Sequence, residues 1–343
     1  MKFPWANSLL LLILVVLAVT GYLGLTEGAA NGAWRLWLHG IAAYGLIFLF
    51  IWKSSIILDA FRRKKTWTRQ RLLFAVLLFL LLLTVGLGLL WTLNGPLYVG
   101  GFSLVSLHIY LAVPVMLLVL WHVWRMRFIF RVQGALDRRL FLRLGTLALG
   151  GLFLERAAAQ AKMLLGLEGV GRRFTGSYEA GSYTGQFPIV SWLADRPAPV
   201  DIDAWRLRLD GAVAVPLLWR YTELLALPQE LREATLDCTG GWYTVQFWEG
   251  VSLAQLFAQA GLTEGAQSIT VRAVSGYKRR FTLPEANDML LALNVAGQPL
   301  AHGHGGPLRL VVPGRRGYDW VKWVSHIRVN ETSAYWQSPL PLQ

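Results

Sequence analysis

The chain has 343 residues, of which 55% are hydrophobic, and its formal net charge is +13. It is too apolar for an ordinary soluble protein and long enough for two domains. It contains neither a Lys/Arg-rich nucleic-acid motif nor a zinc-finger spacing, so its basic charge does not indicate a nucleic-acid partner.

The long apolar runs are confined to the first 160 residues. Four segments there, at 7–25, 36–58, 72–93 and 103–124, approach the ~20 apolar residues that a helix needs to cross ~30 Å of hydrocarbon. Basic residues follow the second and fourth segments: Arg62, Arg63, Lys64, Lys65, Arg69, Arg71, Arg125, Arg127, Arg131, Arg138 and Arg139. The loops at 26–33 and 94–102 have no Lys or Arg. The positive-inside rule therefore predicts a cytoplasmic N-terminus and places these two loops outside.

Three histidines, His39, His108 and His122, lie within the predicted spans. Ionisable side chains are costly in a membrane and are usually functional there. His39 and His108 lie near the outer ends of the second and fourth spans, so we expect them at matching depths. His122 lies 14 residues after His108, which is roughly 21 Å along a helix and close to the inner surface. The matching position of the second span is Lys53.

Residues 7–127 resemble the di-haem membrane b-type cytochromes, four-helix bundles with paired histidines at this spacing. The resemblance implies that residues 1–130 form a transmembrane b-type cytochrome-like helical bundle, in which His39 and His108 ligate one haem b. Lys53 departs from the family pattern. It therefore leaves open whether His122 ligates a second haem. The alternative for all three histidines is a structural role as hydrogen-bonding groups between helices.

A fifth apolar stretch, 144–154, follows two arginines, Arg138 and Arg139, and is interrupted by Glu155 and Arg156. We interpret 131–164 as a linker that resembles a twin-arginine export signal, followed by a fifth transmembrane helix. Five crossings would place the rest of the chain outside, in a multi-pass protein of the plasma membrane. The alternatives are an interfacial helix, with a cytoplasmic second half, and cleavage at the Ala-x-Ala pattern of 157–161.

Residues 165–343 contain short strand-like runs at 205–209, 268–274, 308–312 and 325–329 and brief helical patterns at 221–226 and 252–260. This mixture predicts an α+β domain with a mixed or antiparallel sheet. The segment also holds the one cysteine of the chain, Cys238, in Leu236-Asp237-Cys238-Thr239-Gly240-Gly241-Trp242. A lone thiol cannot form an internal disulfide, so any chemical use is as a ligand or a nucleophile. The adjacent glycines would let a bulky group approach.

Several motifs of this half resemble the sulfite-oxidase-type molybdopterin domain in order and spacing. They are the cysteine segment together with 187–192, 205–211, 248–253, 297–300, 305–313 and 322–323. The resemblance is closest to the catalytic subunits of periplasmic methionine sulfoxide reductases. The fold that it implies is multidomain: an all-α transmembrane helical bundle followed by an α+β sulfite-oxidase-type molybdopterin-binding domain at 165–343.

The family resemblance implies that Cys238 is the thiolate ligand of molybdenum and the catalytic residue. It also implies cofactor-binding roles for Arg173, Gly176, Ser177, Tyr178, Ser275, His304, Arg309, Trp320, Val321 and Lys322. Arg309 would bind the cofactor phosphate. Three arginines, Arg279, Arg280 and Arg316, either attract an anionic substrate or are solvated charges.

The sequence therefore predicts an oxidoreductase that uses Mo-molybdopterin and haem b. It would move an oxygen atom to or from a sulfoxide or an oxyanion and exchange electrons with membrane quinone. Two alternatives are a non-catalytic redox module that binds partners and a membrane cytochrome with a basic substrate-binding domain.

Overall fold

The computed structural model describes residues 4–62, 67–125, 138–191 and 195–337. Part of the predicted positive-inside signal, at Arg63, Lys64, Lys65, Arg127 and Arg131, lies outside these ranges, as does Trp192 of the motif at 187–192. Contacts divide the chain into two compact units. The first comprises Met1–Leu25 and Ala30–Tyr178, and the second comprises Thr26–Ala29 and Glu179–Gln343.

The first unit is helical, with a small hairpin between its third and fourth helices. The helices are α1 (Pro4–Thr26), α2 (Ala33–Arg62), α3 (Arg69–Asn94), α4 (Leu104–Arg125) and α5 (Arg138–Leu164), and the hairpin consists of β1 (Tyr98–Val99) and β2 (Phe102–Ser103). By length and composition, four helices of the described residues, α1 to α4, can cross a membrane. They coincide with the four predicted segments. Their shared core is aliphatic, with Leu46 and Leu49 of α2 almost fully buried.

Helix α5 runs antiparallel to α2 at close range. Gly45 of α2 lies against the Leu147 carbonyl, and Gly151 lies against the Ile41 carbonyl, where a Cβ would come within 2.4 Å of the oxygen. Small residues permit this close approach between helix backbones, as they do between membrane helices. The fifth crossing itself stays a prediction, because Glu155 and Arg156 interrupt the apolar run of α5.

The second unit contains two sheets and three short helices, as the α+β prediction required. Its strands are β3 (Tyr178–Glu179, where the chain passes between the units), β4 (Arg206–Gly211), β5 (Leu217–Arg220), β6 (Glu230–Asp237), β7 (Trp242–Ser252), β8 (Ser268–Ala273), β9 (Lys278–Thr282), β10 (Leu290–Val295), β11 (Gln298–Pro299), β12 (Arg309–Val311) and β13 (Val324–Asn330). Its helices are α6 (Tyr221–Ala226), α7 (Leu253–Ala260) and α8 (Leu283–Asn287).

The first sheet has the order β11-β10-β7-β3, with β12 paired to β10 and β6 paired to β7. The second has the order β5-β4-β13-β8-β9, and its β13–β4 pair is parallel. Alternation of apolar and charged residues sets the faces of the second sheet: in β4, Leu207 and Leu209 are fully buried while Arg208 points outward. The buried faces share one apolar core that includes Trp248, Leu291 and Ile327.

The compact second unit begins at Glu179, whereas the sequence pattern placed the start of its domain at 165. The segment with Arg173, Gly176, Ser177 and Tyr178 therefore belongs to the first unit. Trp91 of α3 accounts for this: its indole Nε1 donates to the Gly176 carbonyl at 2.8 Å, and its own carbonyl accepts from the Tyr178 hydroxyl at 2.5 Å.

Candidate active site

The cysteine lies at the tip of the hairpin that joins β6 to β7. Its backbone N–H donates to the Trp242 carbonyl at 2.9 Å, and its carbonyl accepts from the Gly241 N–H at 3.1 Å. Gly241 has φ +93°, a left-handed conformation that favours glycine. The Gly240 N–H points at the cysteine Sγ at 3.3 Å. This turn holds the Cys238 thiol in a fixed position.

A buried ion pair next to Cys238 stabilises this turn. Arg316 Nη1 lies 2.8 Å from Asp237 Oδ1, and the two side chains are only 3% and 1% exposed. Arg316 Nη2 also donates to the Cys238 carbonyl at 3.2 Å. A second buried pair joins Arg279 to Asp319 at 2.7 Å. Neither Arg279 nor Arg316 is a solvated charge, so the interpretation of these two arginines as solvated surface charges was wrong. Each instead holds a buried carboxylate in place.

The thiol opens onto a cleft with an empty volume of about 660 Å³, which includes the solvent at its mouth. The lining residues are Phe187, Pro188, Val190, Ser191, Asp195, Leu236, Cys238, Thr239, Trp242, Tyr277, His304, Arg309, Gly317, Tyr318, Trp320 and Lys322. Of the predicted residues, the structure thus brings Cys238, His304, Arg309, Trp320 and Lys322 together.

Arg309 is the most deeply placed cation of the cleft. Its guanidinium packs against two indole rings that also contact each other, 5.6 Å from the centre of Trp248 and 5.8 Å from that of Trp320. Nη1 donates to the His304 carbonyl at 2.7 Å, whereas the buried Nε has no hydrogen-bond partner among the described residues. Burial lowers the pKa of this guanidinium to about 9. An anion in the cleft would complete its hydrogen bonding.

Lys322 is the second cation of the cleft. Its ammonium donates to the Gly303 carbonyl at 2.7 Å and to the Val190 carbonyl at 2.9 Å. Burial, reinforced by repulsion from Arg309, lowers the pKa of Lys322 to about 7. The side chain can therefore change its protonation state near neutral pH and respond to the charge of a ligand.

His304 also lines the cleft. Its ring stacks on Phe187 with centroids 3.9 Å apart, and its Nε2 lies 3.0 Å from the Phe187 carbonyl. A carbonyl only accepts, so Nε2 carries the proton and Nδ1 is left as an acceptor. Burial lowers the pKa of His304. The residue is therefore a neutral imidazole that can accept a hydrogen bond from a ligand.

Burial raises the pKa of the Cys238 thiol, although the Gly240 N–H and the positive charges of Arg316 and Lys322 oppose this effect. The thiol is thus an unreactive nucleophile until a cation displaces its proton, as metals do at coordinating thiols. Within the described ranges, no three His, Cys, Asp or Glu side chains are grouped for a metal. A metal in this cleft would accordingly need most of its ligands from a cofactor.

The chemistry of the cleft fits a molybdopterin. One thiol is available for a soft metal, and the buried Arg309 Nε and Trp242 Nε1 atoms have no partner among the described residues. The cations Arg309 and Lys322 suit a phosphate, whereas Asp195 is the one carboxylate among the lining residues that the structure describes.

The other predicted residues lie away from the cleft lining. Val321 is fully buried behind it, where its carbonyl accepts from the Leu310 N–H at 2.8 Å. Ser275 is exposed in the turn before β9, and Tyr277, two residues later, occupies the cleft instead. Arg173, Gly176, Ser177 and Tyr178 do not line it either. Tyr277 and Tyr318 were missed because aromatic residues in strands and loops are ordinarily core residues.

In the first unit, the structure brings His39 and His108 together, with ring centroids 6.1 Å apart. The Nδ1 atoms lie 3.1 Å from the Leu17 carbonyl and 2.8 Å from the Thr84 carbonyl, respectively. Because a carbonyl only accepts, both Nδ1 atoms carry the proton and both Nε2 atoms keep a lone pair. The two residues are therefore neighbours in the structure, and their depth in a membrane stays a prediction.

The rings of this pair face glycines on the neighbouring helices. A Cβ on Gly21 of α1 would lie 3.1 Å from His39, and one on Gly88 of α3 would lie 3.1 Å from His108. His122 is elsewhere in α4, where its ring lies 6.1 Å from that of Phe74. The Lys53 ammonium donates to Asn7 at 2.7 Å. The position predicted to lie near the inner membrane surface therefore carries one histidine, His122, and a hydrogen-bonded lysine, Lys53.

Comparison with known proteins finds a family match that covers most of the cleft-lining residues. Residues 194–336 match the oxidoreductase molybdopterin binding domain. The chain is similar to the oxidoreductase YuiH of Bacillus subtilis strain 168, with 28% identity over 45% of this chain and 80% of that protein.

Two further relatives carry a more specific name. The putative protein-methionine-sulfoxide reductase subunit YedZ1 of Azospira oryzae is 26% identical over 47% of this chain and 63% of its own length. The protein-methionine-sulfoxide reductase catalytic subunit MsrP of Gluconobacter oxydans is 30% identical over 40% of this chain and 51% of its own. The match spans less than two thirds of either protein.

Proposed function

We propose that this oxidoreductase, which carries a molybdopterin-binding domain, transfers an oxygen atom between water and a small substrate at the Cys238 cleft. It would exchange the accompanying electrons with membrane quinone through haem b. The observation that carries the proposal is the cleft itself. One fixed thiol and two cations line it, and two buried N–H groups in its lining, Arg309 Nε and Trp242 Nε1, have no hydrogen-bond partner among the described residues. The non-catalytic alternatives are not retained, because the matched domain is that of an oxidoreductase.

Molybdenum, held by the pterin dithiolene and the Cys238 thiolate, would supply two-electron oxygen-atom transfer. Arg309 would bind the cofactor phosphate, since its guanidinium is fixed by two indole rings and its Nε lacks a partner. Lys322 would add a second positive charge and, with a pKa of about 7, hold or release a proton at Nζ. The aromatic walls formed by Phe187 and Trp242 would keep bulk water away from the thiol.

The direction that we favour is sulfoxide reduction. In this direction, a sulfoxide takes up two electrons and two protons to give a sulfide and water. The support comes from two relatives, which are named as protein-methionine-sulfoxide reductase subunits. Oxidation of sulfite or another oxyanion is the opposite direction, and the domain family alone does not distinguish the two.

Haem b would supply one-electron transfer within the helical unit, and His39 and His108 would hold it. Both imidazoles present an Nε2 lone pair, because Leu17 and Thr84 fix their tautomers. The two rings also lie close together, with centroids 6.1 Å apart. For His122, which has Lys53 rather than a second histidine at the matching position, haem ligation stays open.

Quinone is the proposed electron partner, and two polar groups near His39 support it. The Tyr44 hydroxyl is buried without a hydrogen-bond partner among the described residues. Glu155 Oε2 is also without a hydrogen bond there, although it lies 3.7 Å from Arg156 Nε. Tyr44 lies five residues after His39, and Glu155 faces Gly40 from α5. The carbonyl oxygen of a quinone would accept a hydrogen bond from the Tyr44 hydroxyl. The hydroxyl of a quinol would donate one to the Glu155 carboxylate.

The proposed location is the plasma membrane, with α1 to α4 crossing the lipid and the molybdopterin-binding domain on the extracytoplasmic side. The composition of these helices and the basic residues at their predicted inner ends support this arrangement. The side of the membrane depends on α5 acting as a fifth crossing.

The experiment uses the full chain, purified in detergent with its cofactors. The haem is first reduced with a quinol, and its absorption spectrum is followed after methionine sulfoxide or sulfite is added. We expect the sulfoxide to reoxidise the haem in the wild type but not in Cys238→Ser. Reduction of an initially oxidised haem by sulfite would reverse the direction. The proposal fails if the haem of the wild type responds to neither substrate.

A further inference from the structure

The outer face of the second sheet is strongly basic. In the five strands β4, β5, β8, β9 and β13, the side chains that point away from the core include seven cations and one carboxylate, Asp210. The basic face consists of Arg206, Arg208, Arg220, Arg272, Lys278, Arg280 and Arg328, with His326 among them. An eighth cation of these strands, Arg279, points inward to Asp319.

Strand register arranges these cations in rows across the sheet. In one row, Arg208 pairs with His326, His326 with Arg272, and Arg272 with Lys278. A neighbouring row joins Arg328 to Thr270 and Thr270 to Arg280. Paired strands lie only ~4.8 Å apart, so the cations form a dense two-dimensional array.

The single carboxylate of the face is already engaged. Asp210 lies 2.6 Å from Arg208 Nε and 3.0 Å from His326 Nε2. It therefore offsets one cation of the array, and the cations of the face outnumber it. The array is accessible in the full chain: the Arg208 side chain is 65% exposed, and Arg220, Arg272, Lys278 and Arg328 are also exposed. Like charges held this close together need a multivalent anion to offset their repulsion.

We infer that the basic face docks on the anionic phospholipid headgroups of the membrane that the same chain would span. Arginine guanidinium groups bind phosphate oxygens in pairs, and a headgroup layer presents many phosphates in one surface. Four helices long and apolar enough for a membrane lie in the same chain, so tethering keeps the local concentration of headgroups high. An exposed apolar side chain, Leu218, flanks Arg208 and would contact the interfacial region. The inference rests on the proposed membrane anchoring.

The test uses the full chain in lipid nanodiscs made of phosphatidylcholine alone or with about one third phosphatidylglycerol. Arginines are modified with phenylglyoxal, and each modified peptide is quantified by mass spectrometry. We expect the four arginines Arg208, Arg220, Arg272 and Arg328 to react up to roughly fivefold more slowly in the anionic discs. This factor corresponds to a binding free energy of about 1 kcal/mol for each cation held at an anionic surface. Arg196, exposed outside the sheet, should react equally in both. At 1 M salt, where screening extends over ~3 Å, the protection should disappear.

A charge-reversed variant, Arg272→Glu with Arg328→Glu, should lose the protection of Arg208 and Arg220, whereas Arg196→Glu should keep it. A neutral pair, Arg272→Gln with Arg328→Gln, serves if the reversed variant does not fold. Equal modification in both kinds of disc overturns the inference, as does protection that requires an added acidic protein. Failure of the chain to enter the discs at all would instead contradict the proposed anchoring.

Discussion

Removing the carboxylate that pairs with Arg316 beneath the Cys238 turn should destabilise the β6–β7 hairpin strongly. In Asp237→Asn, the guanidinium of Arg316 keeps its charge but loses its partner at 2.8 Å, in surroundings where both side chains are at most 3% exposed. Breaking such a buried pair costs ~3–5 kcal/mol. This is a large part of the ~5–15 kcal/mol that stabilises a typical domain.

Hydrogen exchange of the full chain, read on peptides that cover the hairpin, measures this loss directly. At tenfold per 1.4 kcal/mol, exchange should accelerate by roughly a hundredfold to a few thousandfold. The matched control is Glu230→Gln in the same strand, whose pair with Arg232 is partly exposed and should contribute at most ~1 kcal/mol.

A double replacement, Asp237→Leu with Arg316→Met, separates the charge effect from simple loss of contacts. Removing both charges from a buried site is often neutral or stabilising, so most of the protection should return. An acceleration below tenfold in Asp237→Asn, or a double variant no more protected than the single one, would refute the reasoning.

Three further predictions follow from the same contacts. Gly88→Val should lower haem occupancy although both proposed ligands are retained, because even a Cβ at Gly88 would lie 3.1 Å from the His108 ring and a larger side chain would displace it. The optical spectrum of purified protein measures the occupancy, and Gly86→Val, with open space at its Cβ, is the control. Arg309→Lys should reduce bound molybdenum several-fold at unchanged haem content, because lysine cannot bind phosphate with a planar fork. Lys322 should make the cofactor-free chain more stable as the pH rises from about 7 towards 10. In this range, Lys322 of the unfolded chain keeps its proton, because its pKa is ~10.4. Lys322 of the folded chain has a pKa of about 7 and has released its proton, so the free energy of unfolding rises with pH. Thermal unfolding should show that slope in the wild type and not in Lys322→Met.

The parts of the fold that sequence could predict are those set by local patterns. Apolar length located α1 to α4 within a few residues, and alternation located β4, β8 and β13, because burial on one face leaves a periodic trace. The glycines beside Cys238 indicated an accessible turn, which the structure confirms. Spacing along the second and fourth spans also sufficed to pair His39 with His108.

The parts that sequence could not predict depend on partners distant in the chain. Arg316 and Asp237 are separated by 79 positions, so nothing local distinguishes this buried pair from two solvated charges. Tyr277 rather than Ser275 lines the cleft, because Ser275 is exposed in the turn before β9. The segment around Gly176 lies in the first unit because Trp91 binds it.

Metal and haem analysis of the purified full chain tests the central claim most directly. We predict one molybdenum per chain in the wild type, none in Cys238→Ser, and full molybdenum with no haem at the outer position in His108→Ala. A wild-type protein without molybdenum, or a Cys238→Ser variant that retains it in full, would contradict the assignment of this thiol as the metal ligand.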